Sequence, residues 1–402
     1  MIYEPVGLME PMIPSGNHTE LDDIVLELVQ KSSQLASQVH PIVQFSVGEL
    51  VRSLNCYYSN LIEGHNTHPW DIERALLEDY SKQPEKRNLQ LEAKAHIEVQ
   101  KLIDENSVPK TYPSTKSYIF WLHQEFCNRL PAELLKVENP ETKEIVNVVP
   151  GEYRTRTVRV GYHVPPHPEN LEVFMHRFEE AYNPEGLSKS KRIIAAAASH
   201  HRLLWIHPFL DGNGRVTRLM SYAILLKESV GSYLWSISRG LARNVREYKQ
   251  LLMQADENRH GDLDGRGTLS ESTLMNFCKF FLATCIDQVN YMSSLLQLNS
   301  FIDRLERYSK EEIQAKQLPR GSFSILREAF LMGEVKRNKA TELTGYKDRM
   351  AREVISTLLK KGLVKSNHHK DTLRLAFPLE AVEKWFPGLY PELNLSKIKL
   401  SL

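Results

Sequence analysis

Residues 207–218, His-Pro-Phe-Leu-Asp-Gly-Asn-Gly-Arg-Val-Thr-Arg, constrain the fold more than any other stretch of the chain. They follow a strongly periodic helical segment, Lys189 to Trp205, whose Ile193, Ile194, Ala197, Ala198, His201 and Leu204 form one apolar face. Gly212 and Gly214 permit a tight turn and bring backbone N–H groups against an anion at a helix start. If Gly214 opens the next helix, Arg215 and Arg218, three apart, leave it on one face, and each is a charge-assisted donor fork. Asn213 adds an amide donor, and two arginines suit more than one phosphate. Asp211 stands where a carboxylate holds a hard cation such as Mg²⁺ shared with phosphate oxygens. His207, with an ordinary pKa of about 6.5, can take a hydroxyl proton near neutral pH. Taken singly, these residues have ordinary readings: an N-cap, a half-buried imidazole, turn glycines. Their joint spacing favours a phosphate site.

The stretch resembles the signature of the Fic family, which runs His, any, Phe, any, Asp or Glu, Gly, Asn, Gly, Arg, any, any, Arg, and every fixed position matches. The resemblance implies a mainly helical core that moves AMP from ATP to a Ser, Thr or Tyr hydroxyl of a protein and releases pyrophosphate. It assigns His207 as the base, Asp211 as the Mg²⁺ ligand, and Asn213 with the Gly212 and Gly214 amides as the anion hole. Arg215 becomes the β-phosphate ligand and Arg218 the γ-phosphate ligand. Upstream, Ser59-Asn60-Leu61-Ile62-Glu63-Gly64 closes a helical segment running from about Glu49. By itself it reads as a helix stopped by a glycine; ahead of an intact signature it resembles the family's inhibitory motif, in which Glu63 pairs with Arg218. Downstream, members often set two aromatics against the adenine, and only Tyr248 is found near that point.

The rest of the chain is read in order. Pro5, Pro11, Pro14 and Gly16 predict an extended arm, and Leu21, Ile24, Val25, Leu28 and Val29 a helix behind it. Ser117 to Leu130 reads as an amphipathic helix with His123 in its core. Val146 and Val148, then Val158, Val160 and Tyr162, predict a β-hairpin, similar to the family's flap that aligns a target segment by strand addition. Ser238 to Gln254 reads as one amphipathic segment. His200 and His201 lack an HExxH spacing, and the Asp262 to Gly267 run lacks the first Asp of a calcium loop, so both are read as structural. Beyond about 313, helix, turn, helix and two strands (Leu363 to Ser366, Thr372 to Phe377) resemble a winged helix. Arg349, Arg352, Lys360, Lys361, Lys365, His368, His369 and Lys370 make that part basic, which fits DNA or a protein partner.

With 402 residues the chain exceeds one ordinary core, and three parts are expected: 1–110, helical with the inhibitory motif; 111–300, the Fic core with its hairpin flap; 301–402, an α+β winged helix. The 51 basic and 50 acidic residues exclude an overall nucleic-acid-binding field but not a local patch. Four scattered cysteines signal neither zinc nor disulfides. The absence of a signal-peptide pattern, and of any apolar run near ~18 residues, predicts a cytoplasmic protein without a membrane span. The expected activity is a protein adenylyltransferase held back by Glu63, acting on other proteins or on itself, with a homodimer admitted. Two other readings stand: a DNA-binding regulator whose core senses nucleotide, and a de-AMPylase in which Glu63 orients water.

Overall fold

A computed structural model describes residues 3–16, 19–139, 142–231, 233–368 and 371–391. It is mainly helical, and its backbone contacts form two compact units, 1–33 with 55–289 and 34–54 with 290–402. The expected boundaries at 110 and 300 do not coincide with this division, because helices α1 (Thr19–Gln38) and α2 (Pro41–Ile62) each contribute to both units.

In the first unit the helices that build the site are α3 (Pro69–Leu76), α4 (Pro84–Asp104), α5 (Lys116–Cys127), α6 (Leu171–Ala181), α7 (Lys189–Ile206) and α8 (Asn213–Lys227). The helix α7 starts at Ser188, whose hydroxyl accepts from the Lys191 N–H. Its run Ala195–Ala198 is buried together with Ile193, Ile194 and Leu203, and α8 buries Val216, Leu219, Met220 and Ile224. Helices apolar on this many faces form an interior pair, and the two pack on each other. The loop at 207–212 joins them and is therefore anchored at both ends in the core.

The N-terminal arm straps this core. Pro11 O accepts from Arg202 Nε and Nη2 (3.1 and 2.8 Å), and Met12 O accepts from the Tyr182 hydroxyl at 2.6 Å. Behind α8, residues Ser238 to Gln254 are two helices, not one: α9 (Ile237–Arg243) and α10 (Val245–Gln254) break at Asn244, whose φ of −111° and ψ of 35° leave helical space. The long α11 (Glu271–Leu296) follows.

The hairpin lies earlier than expected. Strand β1 (Lys136–Glu138) pairs antiparallel with β2 (Ile145–Asn147), with Val137 opposite Val146. Each strand carries three residues, too few for an alternating pattern to stand out in β1. Residues 158–162 do not pair with 146–148. At Gly151, where φ is +73°, the chain turns and gives its N–H to His123 Nδ1 at 2.9 Å, so it runs onto α5 instead of folding back. An isolated bridge between Val160 and His163 is what remains of the second strand.

The second unit contains α12 (Leu298–Gln314), α13 (Ser322–Met332), α14 (Ala340–Thr344), α15 (Asp348–Lys360) and α16 (Leu379–Trp385). Between them lies a three-stranded antiparallel sheet in the order β3 (Glu334–Val335), β5 (Leu373–Leu375), β4 (Val364–Lys365). Gly345, at φ +70°, turns the chain between α14 and α15. Leu373 and Leu375 are fully buried, as are Val354, Leu358 and Trp385, and β3 was not foreseen because two residues carry no period. His369, Lys370 and residues 392–402 fall outside the described residues. No helix among the described residues is long and apolar enough to cross a membrane.

Candidate active site

The helix α7 ends on His207, whose backbone is left-handed (φ 50°, ψ 62°) and whose N–H still bonds Leu203 O at 3.0 Å. Helix ends often take this conformation, although usually on glycine, and Pro208 prevents continuation. After a short crossing, Gly212 (φ 83°) caps α8. The crossing is held from several directions. Arg154, 3% exposed, donates Nε to His207 O at 2.8 Å and its backbone N–H to Pro208 O at 2.9 Å, and its Nη2 reaches Pro166 O at 2.5 Å. His123 stacks on Phe209 with ring centroids 3.9 Å apart and planes 2° apart. Since its Nδ1 accepts from Gly151, the neutral ring carries its proton on Nε2, which faces Asp211 O at 3.3 Å. Burial pushes the His123 pKa down to about 4, so the ring is neutral at neutral pH.

Asn213 completes the brace. Its side-chain amide donates to Phe209 O (2.8 Å) and accepts from the Phe209 N–H (3.0 Å), so one of its two N–H donors and its carbonyl brace the loop.

His207 itself is half-buried. Burial first, and then the Arg154 charge, lowers its pKa to about 4, with the Leu204 carbonyl partly opposing. The imidazole is thus neutral at physiological pH, the form that accepts a proton. Its Nδ1 is buried without a hydrogen-bond partner of normal geometry.

The two arginines leave α8 at opposite carboxylates. Arg215 gives Nη1 to Glu92 Oε2 at 3.1 Å and Nη2 to Asp211 Oδ2 at 3.4 Å, and lies over the Phe126 ring, 4.9 Å from its centroid. The Asp211 side chain is 53% exposed and is free to turn toward solvent. Arg218 gives Nε to Ser59 Oγ at 2.9 Å, and Nη2 to Ser59 O at 3.3 Å and to Glu63 Oε1 at 2.5 Å. Glu63 is delivered there by the end of α2. Gly64 sits at φ +87° and the His65 N–H reaches back to Asn60 O at 2.9 Å, a glycine stop that turns Glu63, the first residue past the helix, toward α8. Burial disfavours the Glu63 carboxylate, but the charge and hydrogen bond of Arg218 prevail and hold its pKa below the ordinary value.

Gly214 shows how close the carboxylate stands. A Cβ built there would collide with Glu63 Oε1 and lie 3.1 Å from Arg218 Nη1. Gly214→Ala should therefore lower stability by about 1–3 kcal/mol through overpacking. In a Glu63→Gly background the penalty should shrink, because the obstructing oxygen is gone. Thermal melts of the four chains check this; an equal loss in both backgrounds would locate the cost elsewhere.

Tyr248 is corrected by the geometry. It is 2% exposed, its hydroxyl lies 2.7 Å from His200 Nε2, and its ring packs near Phe277, so it offers no open face to an adenine. The same contact accounts for His200, whose Nδ1 also meets Ser221 Oγ at 2.8 Å, while His201 Nε2 meets Leu252 O at 3.0 Å. No group of three or more His, Cys, Asp or Glu arranged to hold a metal occurs among the described residues. The loop at 262–267 is tied to the chain on either side of it, Asp264 accepting the N–H groups of His260 and Ser272 at 2.9 and 2.8 Å. Sequence reasoning sets Arg154 in the flap-like run from Gly151 to Pro166 but misses its grip on the loop, and it misses Glu92 and the loop-bracing role of His123. The aromatic-rich segment around His123 was the one available signal; single charged residues in Arg154 and Glu92 gave none.

Comparison with known proteins bears on this site. Residues 113–225 match the model of the Fic/DOC family. The curated protein adenylyltransferase Fic of Drosophila willistoni is 47% identical over 77 residues, 19% of this chain and 16% of that protein. That of Nematostella vectensis is 32% identical over 213 residues, 52% of this chain and 43% of that protein. The chain thus spans less than half the length of these curated relatives. Among solved structures, a Fic family protein from Desulfovibrio desulfuricans G20 aligns with a TM-score of 0.52 and 16% identity over 94% of this chain and 99% of that one. A Fic domain containing signaling protein from Bacteroides thetaiotaomicron aligns with a TM-score of 0.51 and 22% identity over 67% and 96%. These two likenesses concern the fold. A mainly helical architecture, the complete twelve-residue loop and the matched family model agree, and residues 113–225 form a domain of the Fic/DOC kind.

Proposed function

We propose that the first unit is a protein adenylyltransferase that is held inactive by its own Glu63. One observation carries the reading: a carboxylate is clamped at the N-terminus of α8, over Gly214 and on Arg218, where helix ends and guanidiniums favour an anion. The Glu63 carboxylate stands in for a phosphate group of ATP.

The chemistry follows from the residues around that anion. A target Ser, Thr or Tyr oxygen attacks the α-phosphorus, its proton passes to neutral His207, and the bond to the β-phosphate oxygen breaks to release pyrophosphate. Arg215 takes the β-phosphate and Arg218 the γ-phosphate, with the Gly212 and Gly214 backbone at the start of α8 facing them. Asp211, half-exposed beside Arg215, suits a Mg²⁺ ion that takes one protein carboxylate and otherwise phosphate and water. Bound Mg²⁺ would neutralise phosphate charge. The segment 154–164, tied to the loop by Arg154, is the flap along which the target chain lies, and this chain's own hydroxyls are among the targets. Incubation with α-labelled ATP, Mg²⁺ and a native lysate tests the activity. Label on proteins that depends on His207 supports it, and an absence of label from a Glu63→Gly chain refutes it.

A second reading applies to the other unit. Two helices joined at Gly345 and followed by a sheet hairpin, with Arg349, Arg352 and Lys360 on α15, favour a winged helix that binds duplex DNA. Retention of the full chain on DNA should fall by orders of magnitude between about 50 and 200 mM salt if several phosphates are contacted. Weak or salt-insensitive retention would leave a protein partner for this surface.

A further inference from the structure

We propose that Glu92 is a positioning residue for Arg215, fixing one arm of its guanidinium so that the other meets the β-phosphate; the inference rests on the phosphate roles given above. Glu92 lies on α4, outside the signature and outside the inhibitory motif. Its side chain is 11% exposed, and a single oxygen, Oε2, receives both Arg215 Nη1 at 3.1 Å and His65 Nδ1 at 2.9 Å. A carboxylate this buried is retained only when well paired. The hydrogen bond and charge of His65, with those of Arg215, outweigh burial and keep it ionised.

The two carboxylates beside the arginines differ in place and in consequence. The atoms nearest a Cβ at Gly214 belong to Glu63 and Arg218, so Glu63 occupies the anion's position. Glu92 is not among them; it holds Arg215 Nη1, while the guanidinium rests on Phe126. Arg215's remaining carboxylate partner is Asp211, at a long 3.4 Å and more than half exposed. If Asp211 turns to a cation, Glu92 alone holds the arginine in register. A guanidinium fixed at one Nη and stacked on a ring has lost its rotamer freedom before the nucleotide arrives, which favours a directed hydrogen bond over diffuse attraction. Removing Glu92 also removes a negative charge, so nucleotide attraction as such should not fall. What falls is the recognition of the β-phosphate.

The test is calorimetric and uses the full chain carrying Glu63→Gly, titrated with ADP and with AMP at fixed Mg²⁺. The parent should prefer ADP over AMP. Glu92→Gln should lose about tenfold of that preference, the value of a directed charge-assisted bond, with AMP binding unchanged or tighter. Glu92→Asp should recover part of it. Arg215→Ala should lose the preference, and Glu92→Gln added to it should remove nothing more. A preference retained in Glu92→Gln, or fully additive losses, overturns the proposal, as does a parent that binds ADP and AMP alike. Should Glu92→Gln not fold, His65→Ala, which releases the other partner of Oε2, should lower the preference at least about twofold; no change there overturns it equally. No AMP transfer is read in this assay. A chain that binds nucleotide without labelling any protein therefore fails the transferase reading and leaves the ratio to decide the role of Glu92.

Discussion

His207→Ala should abolish AMP transfer while leaving ATP binding intact, a fall of about 10²–10⁴ in rate for the loss of a general base. In the proposed reaction the imidazole acts on the target's proton, whereas Arg215, Arg218 and the α8 terminus hold the phosphates, so the nucleotide dissociation constant should barely move. The pH profile gives a second readout. With a folded pKa of about 4, the ring is unprotonated across the neutral range, and no acid limb from His207 should appear until the pH nears that value. The sign for stability follows. The unfolded histidine takes its proton near pH 6.5, higher than the folded one, so lowering the pH below about 6.5 should progressively destabilise the chain through this residue. Label transfer equal to that of the parent chain would remove His207 from the mechanism.

Glu63→Gly should raise AMP transfer by roughly ten- to more than a hundredfold, because one charge-assisted hydrogen bond worth about 1.5–3 kcal/mol no longer holds Arg218 away from the γ-phosphate. The ion pair is short and its arginine is 3% exposed, which argues against discounting it as a surface contact. Adding Arg218→Ala should silence the chain again, since the residue released is itself removed. Initial rates of self-labelling and lysate labelling from the three chains decide it. Equal rates in Glu63→Gly and parent would return Glu63 to a plain helix end or to orienting a hydrolytic water.

The legible and illegible parts of the site divide by how local their cause is. The twelve residues at 207–218 are contiguous, and their glycines, proline and arginines encode a turn and a helix start whatever surrounds them. Helices α5 and α7 were legible for the same reason, each carrying several turns of period. The hairpin was displaced because its true first strand, Lys136–Glu138, is three residues with one apolar side chain, while the more β-branched run at 158–162 was the stronger local signal. Tyr248 was misplaced because its position in sequence, beside charged neighbours on α10, does not show that its ring faces His200. Glu92 and Arg154 act across long separations in the chain, where no spacing rule reaches. The glycine stop at Gly64 was visible, but that it aims Glu63 at Arg218 depends on where α2 ends in space.

Arg154 has one further consequence. One guanidinium and its own backbone grip the carbonyls of His207 and Pro208 on one side and of Pro166 on the other. In mechanical language, base and flap are referenced to a common datum. A displacement of one is then copied into the other, and the gap between imidazole and incoming hydroxyl keeps its tolerance even when the pair drifts together against the rest of the protein. Two parts gauged separately would add their errors; gauged from one point, they cancel them.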